Sequence, residues 1–302
     1  DLNTNPQVAP EDENDPRSHK GYKALSPRAG IIYRFEDVAN IEEGAIKLLY
    51  GEAIQEPAPV QLWGGWNGRA SVEDLRPEQA RNIEFVFMAQ TGSFSSDLSL
   101  YLAQYSEVHV SPPANAGERQ TMGVEYKGKL TLTNPIPNSS KVTGYLNATY
   151  TKSTSTKQWN FKSKSWVDAP SSDTPTGDIA PLKVHAGLNV PMMSHLNLNV
   201  RGRYIAARIP FLANALRNPA RPSDKPDYLH AYFVADLALS YQYDFIRLNL
   251  QIYNLTNTDY NHPGDGSAGA GDGWVENEDG TMDTSVRSSG YRNSFVPQPL
   301  RN

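Results

Sequence analysis

From Tyr232 to Leu255 apolar and polar positions alternate in two long runs with only a tight turn between them. Phe233, Ala235, Leu237, Leu239, Tyr241 and Tyr243 fall on odd positions, with Asp236, Ser240 and Gln242 between them. Ile246, Leu248, Leu250 and Ile252 then alternate with Arg247, Asn249, Gln251 and Tyr253. Successive side chains on a strand point to opposite faces, so each run has one apolar face and one face of charges and amides. The pattern predicts an antiparallel hairpin. Its strands approach the roughly 9–11 residues that a tilted strand needs to cross a bilayer.

The same period recurs through most of the chain. Ala29, Ile31, Tyr33 and Phe35 oppose Arg28, Gly30 and Arg34; Ile46, Leu48 and Tyr50 flank Lys47; Ile83, Phe85, Phe87 and Ala89 oppose Glu84 and Gln90; and Leu98, Leu100 and Leu102 follow. Met122, Val124, Tyr126, Leu130 and Leu132 are set against Glu125, Lys127 and Lys129, and Val142, Leu146, Ala148 and Tyr150 against Thr143, Asn147 and Thr149. Leu182, Val184, Ala186, Leu188 and Val190 oppose Lys183, His185 and Asn189, and Leu198, Val200 and Tyr204 oppose Asn199, Arg201 and Arg203. About ten strands are expected. Short turns at Glu36 to Glu43, Gly92 to Asp97, Asn134 to Ser140 and Met192 to His195 alternate with long connections, including Ser153 to Pro181 and Pro210 to His230. Residues 1–20 are acidic, polar and free of apolar period, which predicts a solvated loop, and a Gly- and Asp-rich tail closes the chain.

Alternation, strand length and loop asymmetry together are the pattern of an all-β, antiparallel transmembrane barrel with short periplasmic turns and long extracellular loops. A soluble sandwich also alternates, with apolar faces packed together, and alternation by itself does not separate the two. Only 38% of residues are apolar, which a barrel tolerates because half of each strand faces a polar interior. The 16 tyrosines suit the girdles of such a wall, or equally a sugar-binding sandwich. With no cysteine there is no disulfide framework, and a net charge of -5 argues against a nucleic-acid partner.

Several short motifs carry a more specific likeness. Ser26-Pro27-Arg28-Ala29-Gly30, Tyr50-Gly51-Glu52-Ala53-Ile54 with Pro57, Asp74-Leu75-Arg76-Pro77-Glu78, Asn115 and Gly117 with Gly123-Val124-Glu125, Asn254-Leu255-Thr256-Asn257-Thr258-Asp259-Tyr260, and Pro297-Gln298-Pro299-Leu300-Arg301 occur in that order. In order and spacing the set resembles the C-terminal half of the barrel of a TonB-dependent outer-membrane receptor. The resemblance covers residues 25 to 301 and implies that residues 1–302 are the C-terminal part of such a barrel, about ten strands of a larger, plugged one. It implies an outer-membrane location and lipid and lipopolysaccharide as surroundings. It further implies a small-molecule ligand, most often a ferric siderophore, and coupling to TonB through a plug domain that these residues do not include. A cobalamin or oligosaccharide receptor of the same family is the alternative within it. Outside the family stand a β-sheet binding module without transport and, further off, a glycoside hydrolase.

No nucleophile elbow or other catalytic motif frames the Ser, His and Asp residues. The six histidines show no metal-ligand spacing, and no cofactor is expected. Acidic residues of the tail, among them Asp265, Asp272, Glu276, Glu278, Asp279 and Asp283, lack the spacing of a calcium loop, which favours a solvated segment. Lys127, Lys129, Lys183, Arg201, Arg203, Asp236 and Arg247 are expected to face the lumen, the cations forming a hydrogen-bonded network with Glu84, Glu125, Asp236 and, in a complete receptor, the plug; a path for an anionic cargo is the alternative. On the long connections Trp63, Trp66, Arg69, Trp159, Lys162, Lys164, Trp166, Arg217, Arg221 and Lys225 are the candidate ligand contacts, since aromatics and cations on loops suit a planar anionic chelate. They suit lipopolysaccharide phosphates or plain solvent as well.

Overall fold

The structure is a computed structural model and describes residues 22–58, 75–110, 114–115, 117–133, 135, 141–160, 165–169, 174–210, 214, 217, 228–263 and 295–297. Ten strands form one antiparallel sheet: β1 (Arg28–Val38), β2 (Ile41–Gln55), β3 (Glu78–Thr91), β4 (Phe94–Ser106), β7 (Arg119–Thr133), β8 (Lys141–Ser155), β11 (Leu182–Met193), β12 (Leu196–Ile205), β13 (Tyr232–Tyr243) and β14 (Ile246–Ile252). They lie side by side in chain order, each paired with the strand before and after it. Three two-stranded pieces sit in the connections: β5 (His109–Val110) with β6 (Ala114–Asn115), β9 (Lys157–Asn160) with β10 (Ser165–Asp168), and β15 (Asn261–Pro263) with β16 (Phe295–Pro297). No helix occurs among the described residues.

The strands are longer than the apolar runs that announce them. Turns between β1 and β2, β3 and β4, β11 and β12, and β13 and β14 occupy two residues each, so the expected links Glu36 to Glu43 and Gly92 to Asp97 are largely strand. Ala39 and Asn40 turn with φ of 51° and 66°, the left-handed conformation that two-residue hairpin turns need. The expected loop from Ser153 to Pro181 also contains regular structure, since it carries the β9–β10 hairpin. In the other direction, β14 stops at Ile252 and has only seven residues. Asn254 leaves the strand with φ of 50°, and the chain turns back over the sheet.

Directly paired residues on neighbouring strands share a face, so the register can be followed from one edge to the other. Ile46 pairs with Phe87, Phe87 with Leu98, Leu98 with Tyr126, Tyr126 with Ala148, Ala148 with Val184, Val184 with Tyr204 and Tyr204 with Phe233. All ten apolar runs lie on one face of the sheet. Among the described residues no second sheet covers them: Leu248 is 61% exposed, Leu250 53% and Leu48 50%. A soluble sandwich would bury this face. The buried hydrophobics are few, and a cluster of them, Ala180, Ile205, Tyr232 and Val234, packs around the opposite, polar face.

The row from Ile46 to Phe233 is not level with the apolar band. Ile46 is the turn-side member of the apolar triplet of β2, whereas Phe233 begins the apolar run of β13 at its loop end. The centre of the band therefore slides seven residues toward the turns over seven strand-to-strand steps. One residue per step, with a rise of ~3.4 Å and a spacing of ~4.8 Å, is a strand tilt of about 35°. Strands of membrane barrels tilt by ~35–45°. The drift is what a level apolar belt looks like when written on tilted strands.

Close packing of side chains sets one detail of the wall. Tyr145 of β8 pairs with Gly187 of β11, and its ring lies where a Cβ on residue 187 would stand, at 2.3 to 2.8 Å. Any larger residue there displaces the ring.

Candidate functional site at the loop end of the sheet

The connections after β2, β4, β8, β12 and β14 all leave from one end of the sheet, and the short turns lie at the other. Several of the sequence motifs meet at this loop end, where they act as pegs. Asn115 of β6 accepts the N–H of Arg76 at 3.0 Å and donates its amide to the carbonyls of Arg76 and Glu107 at 2.9 and 2.8 Å. Arg76 also pairs with the Glu107 carboxylate at 2.8 Å, and Glu78 accepts the N–H of His109 at 2.5 Å. Leu75 to Glu78 and the pair Asn115 and Gly117 are thus two halves of one latch. It joins the entry to β3 to the hairpin that follows β4. Leu75, 2% exposed, is its apolar pin.

A second latch follows β14. The Asn254 side chain accepts the N–H of Thr258 and donates to the Thr258 carbonyl, both at 2.9 Å, closing a five-residue turn on itself. Leu255 N–H and the Thr258 hydroxyl then bond to the carbonyls of Ala235 and Phe233 at 2.6 and 2.7 Å, continuing the pairing that β14 gave up. The turn delivers Tyr260 onto the polar face, where its ring stacks on Tyr232 at 4.4 Å. Its hydroxyl accepts from Arg203 at 3.3 Å.

The expected lumen set shares one face. In successive rows of the register, Lys129, Tyr145, Gly187, Arg201 and Asp236 are linked pair by pair; Asp97, Lys127, Asn147, His185 and Arg203 form the next row; and Lys183 lies between Thr149 and Ile205. Arg247 pairs with Gln242 and donates to its side chain at 3.1 Å. Arg201 and Asp236 are ion-paired at 3.0 Å. On this face Arg201 is matched by an acid on the neighbouring strand and Arg247 by an amide.

Of the candidate ligand contacts, Trp63, Trp66, Arg69, Lys162, Lys164, Arg221 and Lys225 lie outside the described residues. Trp159 and Trp166 are brought together: they are cross-strand partners in the β9–β10 hairpin, a relationship seven residues apart in sequence that no strand period announced. Arg217 is tied down. It donates to the carbonyls of Thr176, Pro210 and Pro175 at 3.5, 3.3 and 2.9 Å, and burial pulls its guanidinium below the usual arginine range against the opposing pull of Asp178. Its geometry is that of a clamp between two loops. Among the described residues no group of three or more His, Asp or Glu could hold a metal ion.

Sequence reasoning did not single out Arg208, which is buried, pairs with Leu229 in an isolated bridge and donates to the Asn261 carbonyl at 3.3 Å. Nothing in its surroundings, Ala207-Arg208-Ile209-Pro210, marks it, because the partners that hold it, Leu229 and Asn261, come from distant parts of the chain.

A family model described as TonB dependent receptor-like, beta-barrel, matches residues 2–255. No curated protein sequence matches. Among solved structures, the ferric-catecholate import receptor Fiu from E. coli K12 superposes with a TM-score of 0.57 at 17% identity over 91% of this chain and 33% of its own. The FrpB iron transporter from Neisseria meningitidis gives 0.59 at 17% over 92% and 37%, and the copper transporter OprC 0.57 at 15% over 90% and 37%. The chain spans about a third of the length of these proteins, and at such identity the likeness is one of fold.

Proposed function

Since the chain belongs to the TonB-dependent receptors, matched by their barrel model over most of its length, we propose that it forms part of the wall of an outer-membrane receptor that captures a scarce extracellular ligand and imports it with energy from TonB. The observation that carries this reading is the uncovered apolar face that crosses all ten strands, with the charged residues on its reverse. In water such a face would associate without limit; against lipid it is at rest. Leu198, Val200, Leu237, Leu239, Leu248 and Leu250 then face lipid, and Lys127, Lys129, Lys183, Arg201, Arg203, Asp236 and Arg247 face the lumen. The loop end is the extracellular one.

A ferric siderophore is the cargo we propose. Support comes from the ferric-catecholate and iron transporters among the solved relatives and from the cations and tryptophans of the connections. Trp159 and Trp166, backbone partners in the β9–β10 hairpin, with Lys162 and Lys164 between them in sequence, are the capture residues we propose. Arg217, occupied by three carbonyls, positions the loops instead. Reversing the charge of Lys162, Lys164 and Arg221 together in the full-length protein should weaken binding of ferric chelates, most strongly at low salt, where exposed charges act over roughly 10 Å or more. Absence of binding of every ferric chelate tried would overturn the cargo and favour cobalamin or an oligosaccharide. Uptake that is unaltered when TonB is removed would overturn active transport.

A further inference from the structure

At the loop end of the sheet the apolar face gives way to a row of polar side chains. Glu52, Arg81, Gln104, Gln120 and Thr154 are linked pair by pair through the register of β2, β3, β4, β7 and β8. The next row toward the turns on the same face is Tyr50, Ile83, Leu102, Met122 and Lys152, in which Lys152 is the only charge. Where these rows reach β8 they border a cleft of 370 Å³, lined by Tyr150, Lys152 and Thr154 from the strand and by Ile179, Pro181 and Ile209 from the connections before β11 and after β12. Tyr150 and Leu182, paired at the loop end of the apolar runs of β8 and β11, lead directly into it through Pro181. Its walls are fastened to one another. The N–H of Thr176 bonds to the Ser153 carbonyl at 3.0 Å and that of Asp178 to the Ile209 carbonyl at 2.8 Å, and Arg217 holds the carbonyls of Pro175, Thr176 and Pro210.

The lining is mostly apolar, and its charges, the exposed Lys152 and the buried Arg208, are both positive. Among the described residues no carboxylate lines it. An acyl chain can pass from the apolar belt into such a cleft without meeting water, and the positive charge favours a phosphate at the end of that chain. A free anion would use only the second property, and an uncharged apolar molecule only the first. Thr154 belongs to the cleft and to the polar row, where Gln120 and Gln104 follow it. Hydroxyl and amide groups both donate and accept hydrogen bonds, which matches the hydroxyls of a sugar.

We propose that this cleft holds one molecule of a phosphorylated glycolipid from the leaflet at the loop end, its phosphate at Lys152, an acyl chain against Ile179, Pro181 and Ile209, and its sugar hydroxyls along the row from Thr154 to Gln104. The site rests on the reading that the apolar face meets lipid, and makes one lipid a ligand of the wall rather than part of its solvent.

The full-length protein in neutral detergent is titrated with lipid A, an acylated disaccharide carrying phosphate, and separately with phosphatidylglycerol, and bound lipid is counted by native mass spectrometry. One lipid A per chain is expected to bind at concentrations where phosphatidylglycerol does not. Lys152→Gln should weaken it about fivefold, the effect of one cation at a membrane surface. Gln104→Leu should weaken lipid A and leave phosphatidylglycerol unchanged. Lys141→Gln, at the turn end of the same strand, should bind as the parent does. Folding of the same proteins into liposomes separates the site from the reading beneath it. A parent that does not insert overturns both. With a parent that inserts, the glycolipid site alone is overturned if Lys152→Gln binds lipid A as the parent does, if Lys141→Gln weakens it equally, or if phosphatidylglycerol binds as tightly as lipid A.

Discussion

The carboxylate of Asp236 accepts the backbone N–H of Asn254 at 2.9 Å, which joins the middle of β13 to the turn that ends β14. Its other oxygen takes the Arg201 Nε at 3.0 Å, so one side chain ties three consecutive segments. Replacing Asp236 by Asn keeps an acceptor for Asn254 and removes only the half-exposed ion pair, a loss of ~1 kcal/mol or less. Replacing it by Ala removes both bonds and should cost about 1–3 kcal/mol. Denaturant unfolding orders the variants, and hydrogen exchange at the Asn254 amide should accelerate in Asp236→Ala alone.

Gly187 and Tyr145 form a pair in which the absence of one side chain accommodates the other. Gly187→Ala should destabilise the sheet by about 1 kcal/mol, the low end of the cost of overpacking, because the ring it displaces is 39% exposed and can turn toward solvent. Adding Tyr145→Ala should recover part of that loss. Double-mutant-cycle unfolding measures the coupling, and strictly additive variants would show that the ring is free to move aside.

Leu250 tests the assignment of the two faces. Arg in its place should cost ~2–4 kcal/mol if the residue meets lipid near the midplane. Replacing Asn249 by Arg, on the polar face of the same strand, should cost much less. Folding into liposomes distinguishes the two, and equal effects would contradict the assignment.

His262 gives the loop latch a pH dependence. Around it stand Tyr232 from β13, Tyr260 from its own segment, Arg203 from β12 and Arg208 from the loop after β12. Its folded-state pKa is lowered, so folding favours the neutral ring. That stabilisation is present above the unfolded value of ~6.5 and is lost as pH falls through the lower folded one. The latch should loosen as pH falls below the unfolded value of ~6.5, and less so in His262→Gln. Hydrogen exchange at residues 255–263 reads the change directly.

The alternation of side chains was enough to predict a sheet of about ten antiparallel strands, the two faces of each strand, and long connections alternating with short ones. These are local properties, because the period of a strand is written in consecutive residues whatever the strand pairs with. Register, and with it the tilt of about 35°, required the pairing of Ile46 through to Phe233 across eight strands. The short motifs were recognisable as residue patterns, but their work was not: Asn115 meets Arg76 from 39 positions away, and Tyr260 finds Tyr232 only because the Asn254 turn directs it there. For the same reason Arg208 was invisible, and the three carbonyls that Arg217 meets could not be foreseen. A strand pattern says which way a side chain points; which group it then meets is decided by segments arriving from elsewhere in the chain, and the polar chemistry of this protein lies almost wholly in those encounters.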